Sequence, residues 1–246
     1  MSMNIYRLAG DIIHLTTIVG LLLYIWRKGS CKGISGRTQI LFALLFTARY
    51  TDLFTNYISV YNSCMKIVFI AVTYVTVLSI YFKYKESYNS QYDTFRSETL
   101  IIGATVIAIF VHYKFTYFEV LWAFSEYLEA VAIIPQLYLV SKAGKSEKVV
   151  TYYIFGLAMY RSLYLINWLY RYFGENYYDL FSIVPAIIQL LIYFDYFFAL
   201  LSSRLISKYQ KTNTFATDVE GKYPVFVLSY DAVPSSPQKT NPADKV

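Results

Sequence analysis

The stretch "LFALLFTARYTDLFTNYISV", residues 41–60, begins as an apolar helix of the kind that spans a bilayer, and then carries Arg49, Tyr50 and Asp52 near its middle. A charged side chain at the centre of a membrane helix costs at least about 2.5–3.5 kcal/mol on insertion scales. Such residues face the interior of a bundle or a water-filled cavity, and they do work there. The reading of this stretch therefore decides between a soluble core helix and a membrane helix with a function in its interior.

The rest of the chain favours the membrane. Of 246 residues, 57% are hydrophobic, 20% aromatic and only 15% charged, against about 25% charged in ordinary soluble domains. The deficit runs along nearly the whole length. Seven segments are apolar enough to span a core of about 30 Å, at 5–26, 37–56, 61–83, 98–113, 118–141, 149–171 and 180–203. The first run ends in Arg27 and Lys28 with no small-residue cleavage site, so it reads as a retained span.

Alternate loops differ in charge. One set holds Arg27, Lys28, Lys32 and Arg37, then Lys83, Lys85 and Arg96, then Lys142, Lys145 and Lys148; the other holds Lys114 and Arg171. The basic set is cytoplasmic by the positive-inside rule, which puts the N-terminus outside or in a lumen and the C-terminus in the cytoplasm. The same pattern accounts for the net charge of +6 without invoking nucleic acid. Cys31 and Cys64 then fall on opposite faces and cannot pair.

After Lys211 the composition turns polar and holds four of the six prolines. The expectation is a membrane domain over 1–211 and a disordered cytoplasmic tail over 212–246. Within the tail "YPVFVLSY" is either a short docking segment or an unstructured apolar patch.

Residues 33–54 echo 132–168: each has a glutamine near a helix end (Gln39, Gln136) and an Arg–Tyr neighbour pair deep in a span (Arg49–Tyr50, Tyr160–Arg161). Two three-helix units joined by the fourth span suit this echo, as in parallel-repeat SWEET transporters. The fold class expected is an all-α polytopic membrane protein.

Helical spacing sorts the intramembrane polar residues. Arg7, Asp11 and His14 share one face of the first span. Tyr160, Tyr164, Asn167 and Arg171 make a continuous stripe on the sixth, and Glu119, Glu126 and Glu129 one on the fifth. Asp179 and Asp195 belong to the seventh. Three stripes imply one cavity, opening on the lumenal side. The competing reading pairs these charges among themselves, Arg49 with Asp52 and Arg161 with Glu129. Against it, arginines from three spans, Arg7, Arg49 and Arg171, converge, and an arginine fork grips carboxylates bidentately. A multiply anionic ligand is the natural guest. His14 sits beside the site, and imidazole titrates in the physiological range; protonating it adds positive charge and strengthens anion binding. The chain shows no nucleophile–base ordering, metal-ligand cluster or phosphate loop, so neither an enzyme nor a cofactor is expected.

"MNIYRLAGDIIHL" (3–15), "GISGRTQILFALLFTARYTDLFTNYISVYN" (33–62), "EVLWAFSEYLEAVAIIPQLYLVSKAGK" (119–145) and "YRSLYLINWLYRYF" (160–173) resemble, in order, the KDEL receptor family. The resemblance covers about Met3 to Lys211. It implies PQ-loop architecture and a multi-pass protein of the endoplasmic reticulum and Golgi, returning escaped lumenal proteins through COPI vesicles. The ligand it implies is a C-terminal Lys- or His-Asp-Glu-Leu tetrapeptide. By that resemblance Arg49 and Tyr50 take the terminal carboxylate, Arg7 the ligand glutamate and Arg171 the ligand aspartate. Asp52, Glu119 and Trp122 read the fourth-last residue, and Tyr164, Asn167 and Trp168 complete the pocket. His14 is the pH sensor above a lock of Glu129, Tyr160 and Arg161, while Lys208 and Lys211 stand for the lysine-rich end that meets the COPI coat. Two residues depart from the family pattern. Glu126 stands where relatives carry an apolar or aromatic residue, so it either adds a buried carboxylate or faces a neighbour. Lys114 stands where animal members tend to have aspartate. A PQ-loop transporter of a small anionic solute shares fold and cavity and is the alternative reading; a G-protein-coupled receptor fits the span count but not the short cytoplasmic loops.

Overall fold

The computed structural model describes residues 4–144 and 146–219, without the side chains of Phe54, Arg204 and 207–219. Among the described residues every regular element is helical: α1 (Ile5–Lys28), α2 (Gly36–Arg49), α3 (Val60–Leu78), α4 (Ser97–Phe110), α5 (Tyr117–Val131), α6 (Ile134–Ala143), α7 (Lys148–Glu175) and α8 (Leu180–Val219). The chain divides into a compact unit, Met1–Leu200, and a second, Leu201–Val246. Of the second, the described part is helix to Val219. Lys208 and Lys211 lie on that helical backbone with side chains outside the described residues, as do the rest of the expected tail and "YPVFVLSY".

Local chemistry sets the helix ends. Asn4 caps α1 by accepting the Arg7 amide at 2.9 Å, and Gly29 ends it in the left-handed region at φ 62°. Only a residue without Cβ takes that conformation cheaply. Ser35 and Ser59 cap α2 and α3 in the same way, accepting the amides of Thr38 and Asn62.

Five helical stretches are long and apolar enough to cross a membrane: Ile5–Lys28, Val60–Lys83, Tyr117–Ala143, Lys148–Glu175 and Leu180–Ser203. The third of these is α5 and α6 together, interrupted at Ala132–Ile133 just ahead of Pro135. Two expected spans are shorter. α4 has 14 residues, about 21 Å of helix. α2 also has 14 and ends at Arg49, where the sequence reading carried the helix to 56; Thr51–Phe54 form a 3-10 turn instead.

Large apolar side chains face outward, Phe82, Phe110 and Phe198 being 77%, 80% and 72% exposed. A water-soluble surface rarely carries contiguous apolar area on this scale. α2 is the most central: its Leu41, Phe42, Leu45 and Phe46 are at most 1% exposed, and it packs against α3, α4, α5 and α6. The most extensive pairing is α1 with α7. It depends on small residues that let two backbones approach: a Cβ on Gly10 would lie 2.8 Å from Cδ2 of Tyr164, and one on Gly156 would overlap the Thr17 side chain.

At one end of the bundle, Asp93 joins the segment before α4 to the start of α2. It accepts from the Ser35 hydroxyl at 2.8 Å, the Arg37 amide at 3.2 Å and the Tyr88 hydroxyl at 2.6 Å. Gln136, at the start of α6, docks onto the same place: its side chain accepts the Ser35 amide and donates to the Gly33 carbonyl. That end is closed by hydrogen bonds.

Candidate functional site

The opposite end is open. The N-termini of α1, α3, α5 and α8 and the C-termini of α2 and α7 surround a cavity of about 270 Å³. Its lining takes one polar face from each of three helices. α1 contributes Arg7, Asp11 and His14; α5 contributes Trp122, Glu126 and Glu129; α7 contributes Tyr160, Arg161, Tyr164, Asn167, Trp168 and Arg171. Arg49, Tyr50 and Asp52 enter from the end of α2 and the turn after it. The residues expected to form the ligand pocket and its lock thus line one cavity, with the exception of Glu119. That residue, in the first turn of α5, is half-exposed and does not line the cavity.

The floor is a charge box. Arg49 Nη2 lies 3.0 Å from Glu126 Oε1, and Arg49 Nη1 contacts Glu129 Oε2. Arg161 Nη2 lies 2.8 Å from the same Glu129 oxygen, and its Nη1 is 3.7 Å from Glu126 Oε2. Two guanidinium groups and two carboxylates therefore balance. The Arg49 Nε donates to Ser125 Oγ at 3.0 Å, and the Arg161 Nε donates to Gln189, whose amide donates in turn to Tyr193 at 2.7 Å. All four charged side chains are at most 14% exposed, so removing any one of them strands a charge away from water. Arg161 does pair with Glu129, as the competing reading had it. Arg49 and Asp52 do not pair.

Over the box, Tyr160 donates to Glu129 and its ring stacks on His14. His14 is 6% exposed and its Nε2 has no hydrogen-bond partner among the described residues. Phe46 and Phe69 close on the imidazole from α2 and α3. Nearer the mouth, Asp11 accepts from Tyr164 and, at 3.0 Å, from Tyr61. Arg171 is held by Glu175 at 2.8 Å and by the ring of Tyr177 at 4.0 Å. Asp179 accepts from Tyr113 at 2.6 Å and from Ser182. Asn4 donates to Asn167, tying the first residue before α1 to the α7 stripe.

Sequence reasoning missed Lys66. It is 7% exposed on α3 and its Nζ is 2.8 Å from both carboxylate oxygens of Asp52. The signal was present, since a single lysine inside an apolar span is itself a site indicator. The α3 face with Tyr61, Asn62, Met65 and Phe69 also lines the cavity. The described residues contain no cluster of metal-binding side chains, and Cys31 and Cys64 are both free.

The family model for the ER lumen protein retaining receptor matches residues 30–171. Receptors named ER lumen protein-retaining receptor 2 from Gallus gallus, Bos taurus and Homo sapiens are each 48% identical over 206 residues, covering 84% of this chain and 97% of the relative.

Proposed function

Because the chain belongs to the ER lumen protein retaining receptor family, a family of receptors and not of enzymes, we propose that it binds the C-terminal retrieval signal of escaped lumenal proteins and returns them to the endoplasmic reticulum. The observation that carries this reading is the convergence of Arg7, Arg49 and Arg171, from three helices, on one cavity. A Lys- or His-Asp-Glu-Leu terminus presents three carboxylates. Arg49 with Tyr50 takes the chain terminus, at the depth of the charge box; Arg7 takes the ligand glutamate and Arg171 the aspartate. Trp122 and Asp52 face the fourth-last residue, and Tyr164, Asn167 and Trp168 line the wall between.

The protein crosses the membrane seven times with the cavity toward the lumen. α2 with its 3-10 turn and the short α4 complete the set begun by the five long stretches. Basic loops at the closed end, around Arg37 and Lys142, support that orientation. A PQ-loop repeat is supported by the packing. Exchanging the first three spans with the last three carries the α1–α7 contact onto the α5–α2 contact, and both pairs are in the structure. Protonation of His14 in the acidic Golgi strengthens capture, and ligand-driven rearrangement of α7 and α8 presents Lys208 and Lys211 to the COPI coat.

The test is binding of a labelled peptide ending in His-Asp-Glu-Leu at about pH 5.5 and about pH 7.4, spanning the histidine range, with a C-terminally amidated peptide as control. Tight binding at the lower pH, lost on amidation, is expected. Equal binding of the amidated peptide, or none at either pH, overturns the reading.

A further inference from the structure

The two carboxylates on Arg49 are not held alike. Glu129 is fully buried, accepts the Tyr160 hydroxyl and touches Arg161 at 2.8 Å. Glu126, one turn earlier on α5, meets Arg49 through Oε1 at 3.0 Å. Its other oxygen, Oε2, meets the second cation, Arg161 Nη1, at 3.7 Å, against 2.8 Å for the Arg161 contact of Glu129. If Arg49 turns to a third carboxylate, Glu126 is the one that lets go.

We propose that Glu126 holds on Arg49 the place taken by the cargo's terminal carboxylate, and that capture displaces it and protonates it, one proton from solvent being taken up for each peptide bound. This rests on the assignment of Arg49 under Proposed function. The charge count gives the reason. Arg49 and Arg161 balance Glu126 and Glu129; a ligand carboxylate brought into the same box leaves one negative charge in excess, away from water. A proton on the displaced carboxylate restores the balance.

The groups facing Glu126 favour that site for the proton. From its own helix Glu129 is a like charge, and so is Asp179, which enters ahead of α8. From α7, Arg161 is shared with Glu129 and Gln189, with Tyr160 beside it. From α2, Arg49 is committed to the ligand, and Tyr50 is uncharged at neutral pH. From α1, His14 is the other proton acceptor, stacked on Tyr160, and from α8 Tyr193 accepts from the Gln189 amide. Glu126 therefore makes capture acid-dependent separately from His14.

A proton taken up with the ligand changes affinity by up to about tenfold per pH unit. Peptide affinity is to be measured from about pH 5.5 to about pH 7.4 for the unsubstituted receptor, Glu126→Gln, His14→Ala and the double variant. Glu126→Gln is expected to bind more tightly at the upper pH and to lose up to tenfold per unit of the pH dependence. His14→Ala is expected to keep a slope that the double variant lacks. A Glu126→Gln profile parallel to that of the unsubstituted receptor, or weaker binding throughout, overturns the proposal while leaving the receptor reading intact. Failure of the unsubstituted receptor to bind overturns both. Where Glu126→Gln does not fold, proton uptake on adding peptide to the weakly buffered His14→Ala receptor decides: close to one proton is expected, and none overturns it.

Discussion

The His14 imidazole lies flat on the Tyr160 phenol, ring centroids 3.9 Å apart and planes within 2°, while the Tyr160 hydroxyl donates to Glu129. A proton gained by the imidazole is therefore felt across one ring by the carboxylate that joins Arg49 to Arg161. The sign is fixed by charge: a cationic His14 adds attraction for an anionic ligand, so affinity is expected to rise as pH falls. His14→Ala is expected to reduce the pH dependence of peptide binding, leaving the part that Glu126 supplies, without abolishing binding at low pH. Tyr160→Phe keeps the stacked ring and removes the hydroxyl, so it is expected to weaken binding at both ends of the range. A titration series on the two variants separates the effects, and an unchanged slope in His14→Ala contradicts the assignment.

Arg49 is fastened to Glu126, Glu129 and Ser125 at once. Truncating one partner of a buried, hydrogen-bonded charge pair costs about 2–5 kcal/mol, a loss of roughly 30-fold to several thousand-fold in affinity. Arg49→Ala is expected to bring peptide binding to background. Arg49→Lys keeps the charge but not the planar fork and should recover only part of it. Near-normal affinity in Arg49→Ala would remove the guanidinium from the ligand's path.

The Asp93 hub is expected to govern stability and not ligand affinity. In Asp93→Ala the hydroxyls of Ser35 and Tyr88 and the Arg37 amide lose their acceptor, at about 1–3 kcal/mol for a buried group left unsatisfied. About 2–4 °C per kcal/mol is the corresponding fall in melting temperature for a domain of this size. Burial, with the hydrogen bond to Asp93, pushes the Tyr88 phenol above its ordinary range. A group raised in this way contributes stability that is fully present below its unfolded value, near pH 10, and lost as pH rises through the folded one. Thermal melts in detergent should thus be flat around neutrality, fall above about pH 10, and fall less in Tyr88→Phe.

Most of the site could be read from spacing. Arg7, Asp11 and His14 at four and three residues apart, and the α7 stripe from Tyr160 to Arg171, follow from helical periodicity alone, and both faces line the cavity. What spacing assumes is that the helix continues. It does not continue past Arg49. On an unbroken helix Arg49 and Asp52 would be neighbours, but the 3-10 turn at Thr51–Phe54 sends them to different partners on α5 and α3. Glu119 fails for a different reason: it keeps the register of Glu126 and Glu129 but sits about two turns before Glu126, in the first turn of α5 and outside the cavity wall. Tertiary packing also hid the role of Gly10 and Gly156, whose value depends on Tyr164 and Thr17 across the α1–α7 contact.

Lys66 sets the last expectation. Both oxygens of Asp52 are taken by its ammonium at 2.8 Å, and the same ammonium lies 5.9 Å over the Tyr50 ring. On the proposed assignment of Asp52, a basic fourth-last residue of the cargo would compete with an internal cation for it. Lys66→Met keeps the buried stem and removes the charge, so Asp52 becomes available to the ligand. The Asp52 side chain is 28% exposed and its ion pair is partly screened, which holds the effect to about 1 kcal/mol or less, up to roughly fivefold. The measurement is relative affinity for peptides ending in Lys-Asp-Glu-Leu and Ala-Asp-Glu-Leu. Lys66→Met is expected to shift the ratio toward the lysine peptide by that factor. A ratio unmoved by the substitution would mean that Asp52 serves to hold α3 against the turn after α2, and that the fourth-last residue is read elsewhere, Trp122 being the next group along the wall.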